Sequence, residues 1–191
     1  MIVQNGGLNV EIIRAESAEE DQIEIITIMR VKVVVGFLFV FLAFVACDSN
    51  RVYDEYKTLP NQWNKDSIIT FNVTPPDSIN AYNVFVNLRN TNAYKYSNLF
   101  LIVATKFPNG KVVTDTLEYR MTKPNGEFLG TGFSDLKENK LWYKEGVIFN
   151  ESGEYTINIQ HAMRENGKVN GVINLEGITE VGFRIENLAT N

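Results

Sequence analysis

The chain of 191 residues holds one cysteine, Cys47, and one histidine, His161. A single thiol cannot close an intramolecular disulfide, and neither residue has companions for a cysteine or histidine metal cluster. Any hydrolytic triad would have to be built around His161, and no Gly-x-Ser-x-Gly elbow, phosphate-binding P-loop or dinucleotide fingerprint accompanies it. There is no basic stripe interleaved with aromatics, which excludes nucleic acid as an expected partner. Internal repeats, low-complexity tracts and convincing amphipathic helices are also missing. An apolar run long enough to span a bilayer, roughly 20 residues, is absent as well.

What is present begins with Met29 to Cys47. Arg30 and Lys32 precede a charge-free run of about 14 residues, Val33 to Ala46, which ends Ala43-Phe44-Val45-Ala46-Cys47. Two cations, a short apolar core, small residues and a cysteine match a secretory signal with a lipid-attachment site. The expected chemistry is a thioether-linked diacylglyceryl group on Cys47 and acylation of its amine after cleavage at Ala46. Two or three chains anchor stably where one does so only marginally. Phe44 departs from the pattern, since an aliphatic residue is usual three positions before the cysteine. Residues 1–28 carry six acids against Arg14, the wrong charge for a signal n-region. They are expected to be an over-extended reading frame or a long leader. Of 18 Lys and Arg and 23 Asp and Glu, three and six lie before Cys47, which leaves 15 against 17 in the mature part.

The expected organisation is residues 1–28 as leader or untranslated extension, 29–46 as lipoprotein signal peptide, 47–66 as lipidated cysteine, tether and edge segment, and 67–191 as one domain. From Ser67 onward the pattern is that of strands. Ile69, Phe71 and Val73 alternate with polar residues, as do Tyr82, Val84, Val86 and Leu88, and Val181, Phe183 and Ile185. Leu99 to Ala104 is apolar on both faces and is expected to lie centrally. Asn109-Gly110 predicts a type I′ hairpin turn, and Lys123 to Gly126 and Asn166-Gly167 predict further turns. Trp142 is expected in the core. Gly153-Glu154-Tyr155 followed by alternating aliphatics suggests a tyrosine corner. Together these predict an all-β fold, a single antiparallel β-sandwich of Greek-key or jelly-roll-like type, with an edge-open barrel second.

Catalytic chemistry is poorly represented. His161 ends a predicted strand and is expected to be structural. Asp115 and Glu118 resemble a glycosidase pair, yet residues three apart on a strand face opposite sides. Asp135, Glu138 and Asn139 lack the alternating spacing of a calcium loop. No catalytic residue, metal site or cofactor is therefore expected. Among the aromatics Tyr53, Tyr56, Trp63, Tyr94, Tyr96 and Tyr143, the Tyr94-Lys95-Tyr96 stretch is the best candidate for an exposed ligand or partner contact. A surface carbohydrate-binding sandwich lipoprotein is the alternative reading.

Several motifs in combination resemble the gliding motility lipoprotein GldH family of the Bacteroidota. They are Leu99 to Ile102 leading into Phe107-Pro108-Asn109-Gly110-Lys111, Asp115 to Tyr119, Gly130 to Phe133, Lys140 to Lys144, Tyr155 to Arg164, and Leu175 to Ile178. The resemblance covers Cys47 to about Glu186. It implies a non-enzymatic cell-envelope lipoprotein required for gliding, lipid-anchored on the periplasmic face or the outer membrane. The membrane, through Cys47, is the implied partner, and docking of other envelope lipoproteins of the gliding and adhesin-secretion machinery is the hypothesis. The family supplies no catalytic residue, only the lipidated cysteine.

Intact-mass spectrometry of the native protein from membranes should find a diacylated or triacylated Cys47 as the first residue. An unmodified Cys47 inside a longer chain would refute the anchor.

Overall fold

The computed structural model describes residues 50–188, together with Met29, Arg30, Lys32 and Val35, which are helical. The chain divides into two compact units, Met1–Asp48 and Ser49–Asn191. The expectations for residues 1–28, most of the signal segment and Cys47 fall outside the described residues. No helix among those described is long and apolar enough to cross a membrane.

The second unit is built from ten strands, β1 (Arg51–Thr58), β2 (Gln62–Asn64), β3 (Ile69–Val73), β4 (Ala81–Asn90), β5 (Asn98–Lys106), β6 (Val112–Arg120), β7 (Lys137–Ile148), β8 (Tyr155–His161), β9 (Asn174–Glu176) and β10 (Ile178–Asn187). They form two four-stranded antiparallel sheets, ordered β1-β10-β4-β7 and β3-β8-β5-β6, with β2 and β9 as a separate pair. Five of the pairings nest: β5 with β6, β4 with β7, β3 with β8, β2 with β9 and β1 with β10. The chain is thus one long hairpin bent at a single turn and rolled up, with β10 against β4 and β5 against β8 closing the roll. Eight strands wound this way in two sheets make a jelly roll, the sandwich the alternation predicted. As expected, β5 is central, flanked by β6 and β8.

Alternation places the core between the sheets. From one side come Val84, Val86, Leu88, Val181, Phe183 and Ile185, and from the other Phe71, Leu99, Leu101, Val103, Ile157 and Ile159, all nearly or wholly buried. Phe71 and Phe183 stack across the interface at 6.0 Å. Tyr155 forms the expected corner: its hydroxyl accepts from the Glu151 N–H (3.1 Å) and donates to the Glu151 carbonyl (3.2 Å). Its ring packs edge-on to Phe107 and Phe149.

The segment expected at the domain edge packs there as a strand, residues 51–58 pairing with β10 at the sheet's margin. Two expectations are corrected. The two tryptophans exchange places. Trp63 is wholly buried and donates its indole N–H to the Ser67 carbonyl, whereas Trp142 is about half exposed and packs edge-on against Phe85 on the outer face. The period of two explains this, because Leu141 points inward and its neighbour must point out. The hairpin turn is not type I′, which needs positive φ at both central residues. Pro108 has its φ fixed near −65°, and of the turn residues only Gly110 is positive (φ 87°). The Gly110 N–H bonds the Phe107 carbonyl and the Phe107 N–H bonds the Lys111 carbonyl, a type I turn closed by a left-handed glycine. Lys123-Pro124-Asn125-Gly126 repeats the arrangement.

Truncation separates the two tryptophans. Trp63→Ala is expected to cost about 3–5 kcal/mol, as emptying a core site does, and Trp142→Ala about 1 kcal/mol. Urea denaturation of each variant measures the difference, and equal losses would contradict these placements.

Candidate functional site

The residues singled out for chemistry are largely engaged in holding the fold. His161 is buried, with Nε2 3.0 Å from the Trp63 carbonyl and its ring edge-on to the indole. Burial lowers its pKa against the opposing pull of that carbonyl, so Nε2–H donates from a neutral ring. Asp115 faces the sandwich interior side and Glu118 the solvent side, the opposite orientation expected from their spacing. Asp135 accepts from Asn92, Glu138 from Tyr56 and Arg89, and the buried Asn139 donates to Leu88 and Asn90. These three do not converge. No group of three or more His, Cys, Asp or Glu suited to a metal ion occurs among the described residues.

The Tyr94-Lys95-Tyr96 stretch does not form a shared exposed surface. Tyr94 is buried, its hydroxyl donating to the Asn98 carbonyl at 2.6 Å, and only Tyr96 and Lys95 reach solvent. The two rings lie at 67° to one another, so they offer no common plane. Gly177 runs close to the Tyr94 backbone, since a Cβ there would lie 2.3 Å from the Tyr94 nitrogen. Tyr56 lies over Gly182 with Arg89 4.3 Å from its ring. The Tyr143 hydroxyl is taken by Asp115.

That last contact belongs to a seam between the open edges of the two sheets. Asp115 on β6 accepts from the Tyr143 hydroxyl at 2.6 Å and pairs with Lys144 at 2.7 Å, both on β7, while the Tyr119 hydroxyl donates to the Trp142 carbonyl at 2.8 Å. Lys144 and then Tyr143 hold the Asp115 carboxyl below its ordinary value, and burial pushes the Tyr119 hydroxyl up to about 12.

The surface least explained by folding is the loop between β6 and β7. Phe133 is 96 % exposed, and Leu129 and Leu136 of the same loop are 47 % and 43 % exposed. The loop is braced, since Thr131 and Glu138 exchange both backbone hydrogen bonds (2.9 and 2.7 Å) and Asp135 is tied to Asn92. At Gly132 a Cβ would lie 2.3 Å from the Leu136 carbonyl, so only glycine closes this turn. A fixed loop thus holds a phenylalanine in water, where each square ångström of apolar surface left uncovered forgoes about 25 cal/mol. No sequence signal marks Phe133, because exposure of a loop residue leaves no periodicity.

Fold and surface define a class: a jelly-roll sandwich whose buried ionisable groups are paired within the fold and whose conspicuous exposed feature is an apolar loop. Comparison with known proteins makes this particular. The sequence pattern of the GldH lipoprotein family matches residues 51–185. A gliding motility lipoprotein GldH homolog of Christiangramia forsetii is 59 % identical over 150 residues, covering 78 % of this chain and 92 % of its own length. The gliding motility lipoprotein GldH of Flavobacterium johnsoniae is 51 % identical over 158 residues, 83 % and 98 % of the two chains. The chain belongs to the GldH lipoprotein family. Among solved structures, the VP2 subviral particle of infectious bursal disease virus aligns with a TM-score of 0.37 and 16 % identity, over 73 % of this chain and 33 % of that one.

Because the ionised form of Asp115 is favoured in the folded state, its contribution is present above the ordinary value of 3.8 and is lost as pH falls through the lowered one. Asp115→Asn should lower stability at neutral pH by about 1–2 kcal/mol, with the gap to the parent protein closing as acid protonates the parent's carboxyl. Urea midpoints of both proteins across a pH series test this, and a gap independent of pH would dismiss the ionic seam.

Proposed function

We propose that this chain is a lipid-anchored envelope protein of the gliding apparatus that acts without catalysis, docking another envelope lipoprotein through the β6–β7 loop. The observation that carries the reading is Phe133, nearly fully exposed on a loop whose backbone is fixed by paired hydrogen bonds and an obligatory glycine. Exposed aromatics that find a pocket on a partner dominate binding energy, and a loop already rigid adds little ordering cost on association. Family membership supports the anchor and the setting, since the relatives are named as gliding motility lipoproteins. The sheet edges supply a weaker route. An open edge accepts a partner strand, but the two facing edges β6 and β7 are already tied by Asp115, Tyr143, Lys144 and Tyr119.

Affinity capture of the acylated protein from gliding cells is expected to recover specific envelope lipoproteins. Phe133→Asp should reduce that recovery at least about tenfold, the factor that 1.4 kcal/mol represents, and should stop gliding while leaving secondary structure and acylation intact. Undiminished recovery by the variant would remove Phe133 from the interface. Recovery of no specific partner by the parent protein would sink the docking role.

A further inference from the structure

The strand register fixes which parts of the domain lie at the anchored end. Arg51 opens β1 opposite Glu186 at the close of β10, and the Asn187 N–H donates to the Asn50 carbonyl at 2.9 Å. Asn187 stands opposite Tyr82 at the start of β4, and Tyr82 opposite Val147 at the end of β7. In the other sheet Val73, Tyr155 and Thr156, Lys106 and Val112 mark the corresponding end. Residues 74–80 and 149–154 join the two sheets there, and the 107–111 turn lies beside them. Asn109 donates its backbone and side-chain N–H groups to Glu151, which ties two of these connections together. The β6–β7 loop with Phe133 belongs to the opposite end, because β7 starts opposite Asn90 and Asn90 pairs with Ile178.

Only three peptide steps separate Cys47 from Asn50, at most about 11 Å of extended chain. The strands are longer than this, since the twelve residues of β7 span about 40 Å at roughly 3.3 Å each. Acyl chains on Cys47 therefore bring one end of the sandwich to the bilayer surface and leave the other beyond the reach of the tether.

At that end the loop 74–80 is built to hold an isoleucine outward. Asp77 accepts four hydrogen bonds: Oδ1 from the Ile79 N–H (2.9 Å) and the Asn80 N–H (2.7 Å), Oδ2 from Asn80 Nδ2 (2.8 Å) and the Tyr82 hydroxyl (2.7 Å). Tyr82 is 1 % exposed, so the carboxylate is moored to the core, while Ile79 is 83 % exposed. Two backbone donors at the loop tip are thus satisfied internally and do not require water, which lowers the cost of taking the tip into the headgroup layer. Ile148 and Val112, each about half exposed, lie at the same end.

We infer that the domain stands end-on upon the membrane, with Ile79 seated in the phospholipid interface as a second contact beside the lipidated cysteine. This rests on attachment of lipid at Cys47 and gives that anchor an orientation. It faces the Phe133 loop away from the bilayer, toward a protein partner.

The test uses the full acylated protein reconstituted into vesicles of phosphatidylethanolamine with a minority of phosphatidylglycerol. Since the only native cysteine is the acylated one, Ile79→Cys and Phe133→Cys each provide a unique thiol for an environment-sensitive fluorophore. The expected result is a shift to shorter emission wavelength and quenching by shallow lipid-borne nitroxide at position 79, with neither at position 133. Vesicle-bound protein whose probe at 79 stays aqueous would overturn the inference, and so would equal quenching at both positions, which means a domain lying flat. Failure of the parent protein to float with vesicles would overturn the anchor itself, a result distinct from the other two.

Discussion

The nested antiparallel pairing of the chain about the Phe107–Lys111 turn is the constraint on which the rest depends. Once Lys106 stands opposite Val112, the β5–β6 register runs without a shift to Asn98 opposite Arg120. The next pairs outward, β4 with β7 and β3 with β8, must then face one another across the core in reverse order. A one-residue slip at the turn would turn every inward side chain outward. Pro108 and Gly110 guard against it, the first by fixing its own φ and the second by supplying the left-handed position that ends the turn. In this arrangement a local preference of four residues sets the register of strands far apart in sequence.

The alternation made the sandwich legible because period-two burial is a direct consequence of the pleat. Where the pattern was strong, in β3, β4, β8 and β10, strand and facing agree with it. It was silent at β1, whose burial is intermediate along most of its length. An edge strand with polar residues on both faces looks the same as a loop. The tryptophans show a different limit. Composition says that a large aromatic belongs in a core, yet placement depends on parity within the strand and on what lies above the outer face. Trp142 lost the interior to Leu141, while Trp63, in a strand of three residues, fills the end of the core beside His161. Tyr94 is buried in a loop, where no local pattern encodes burial.

Of the candidate surfaces, little was legible, and the reason is physical. Folding leaves periodic traces because buried positions recur, whereas a single exposed residue such as Phe133 or Ile79 is surrounded by polar neighbours and looks like any loop. What distinguishes both is the bracing beneath them. Thr131 with Glu138 in one loop, and Asp77 with Tyr82 in the other, hold the backbone so that the side chain cannot fold back on the domain. That bracing appears only when residues distant in sequence are brought together.

The same nesting explains why the two loops lie at opposite ends. In a rolled hairpin the first and last strands pair, so the start of β1 and the finish of β10 share one end of the sandwich with the central turn. Strand β6 leaves that end and β7 returns to it, which sends their connection to the far side. Under the proposed attachment at Cys47, a few residues before β1, the β6–β7 loop lies as far from the attachment point as the strands allow. Lengthening that loop changes neither the register nor the opposite end, whereas lengthening 74–80 would disturb the Asp77 bonds. The topology thus puts the surface proposed for a partner and the end proposed for the membrane at opposite poles of the sandwich, and it does so before any side chain at either end is chosen.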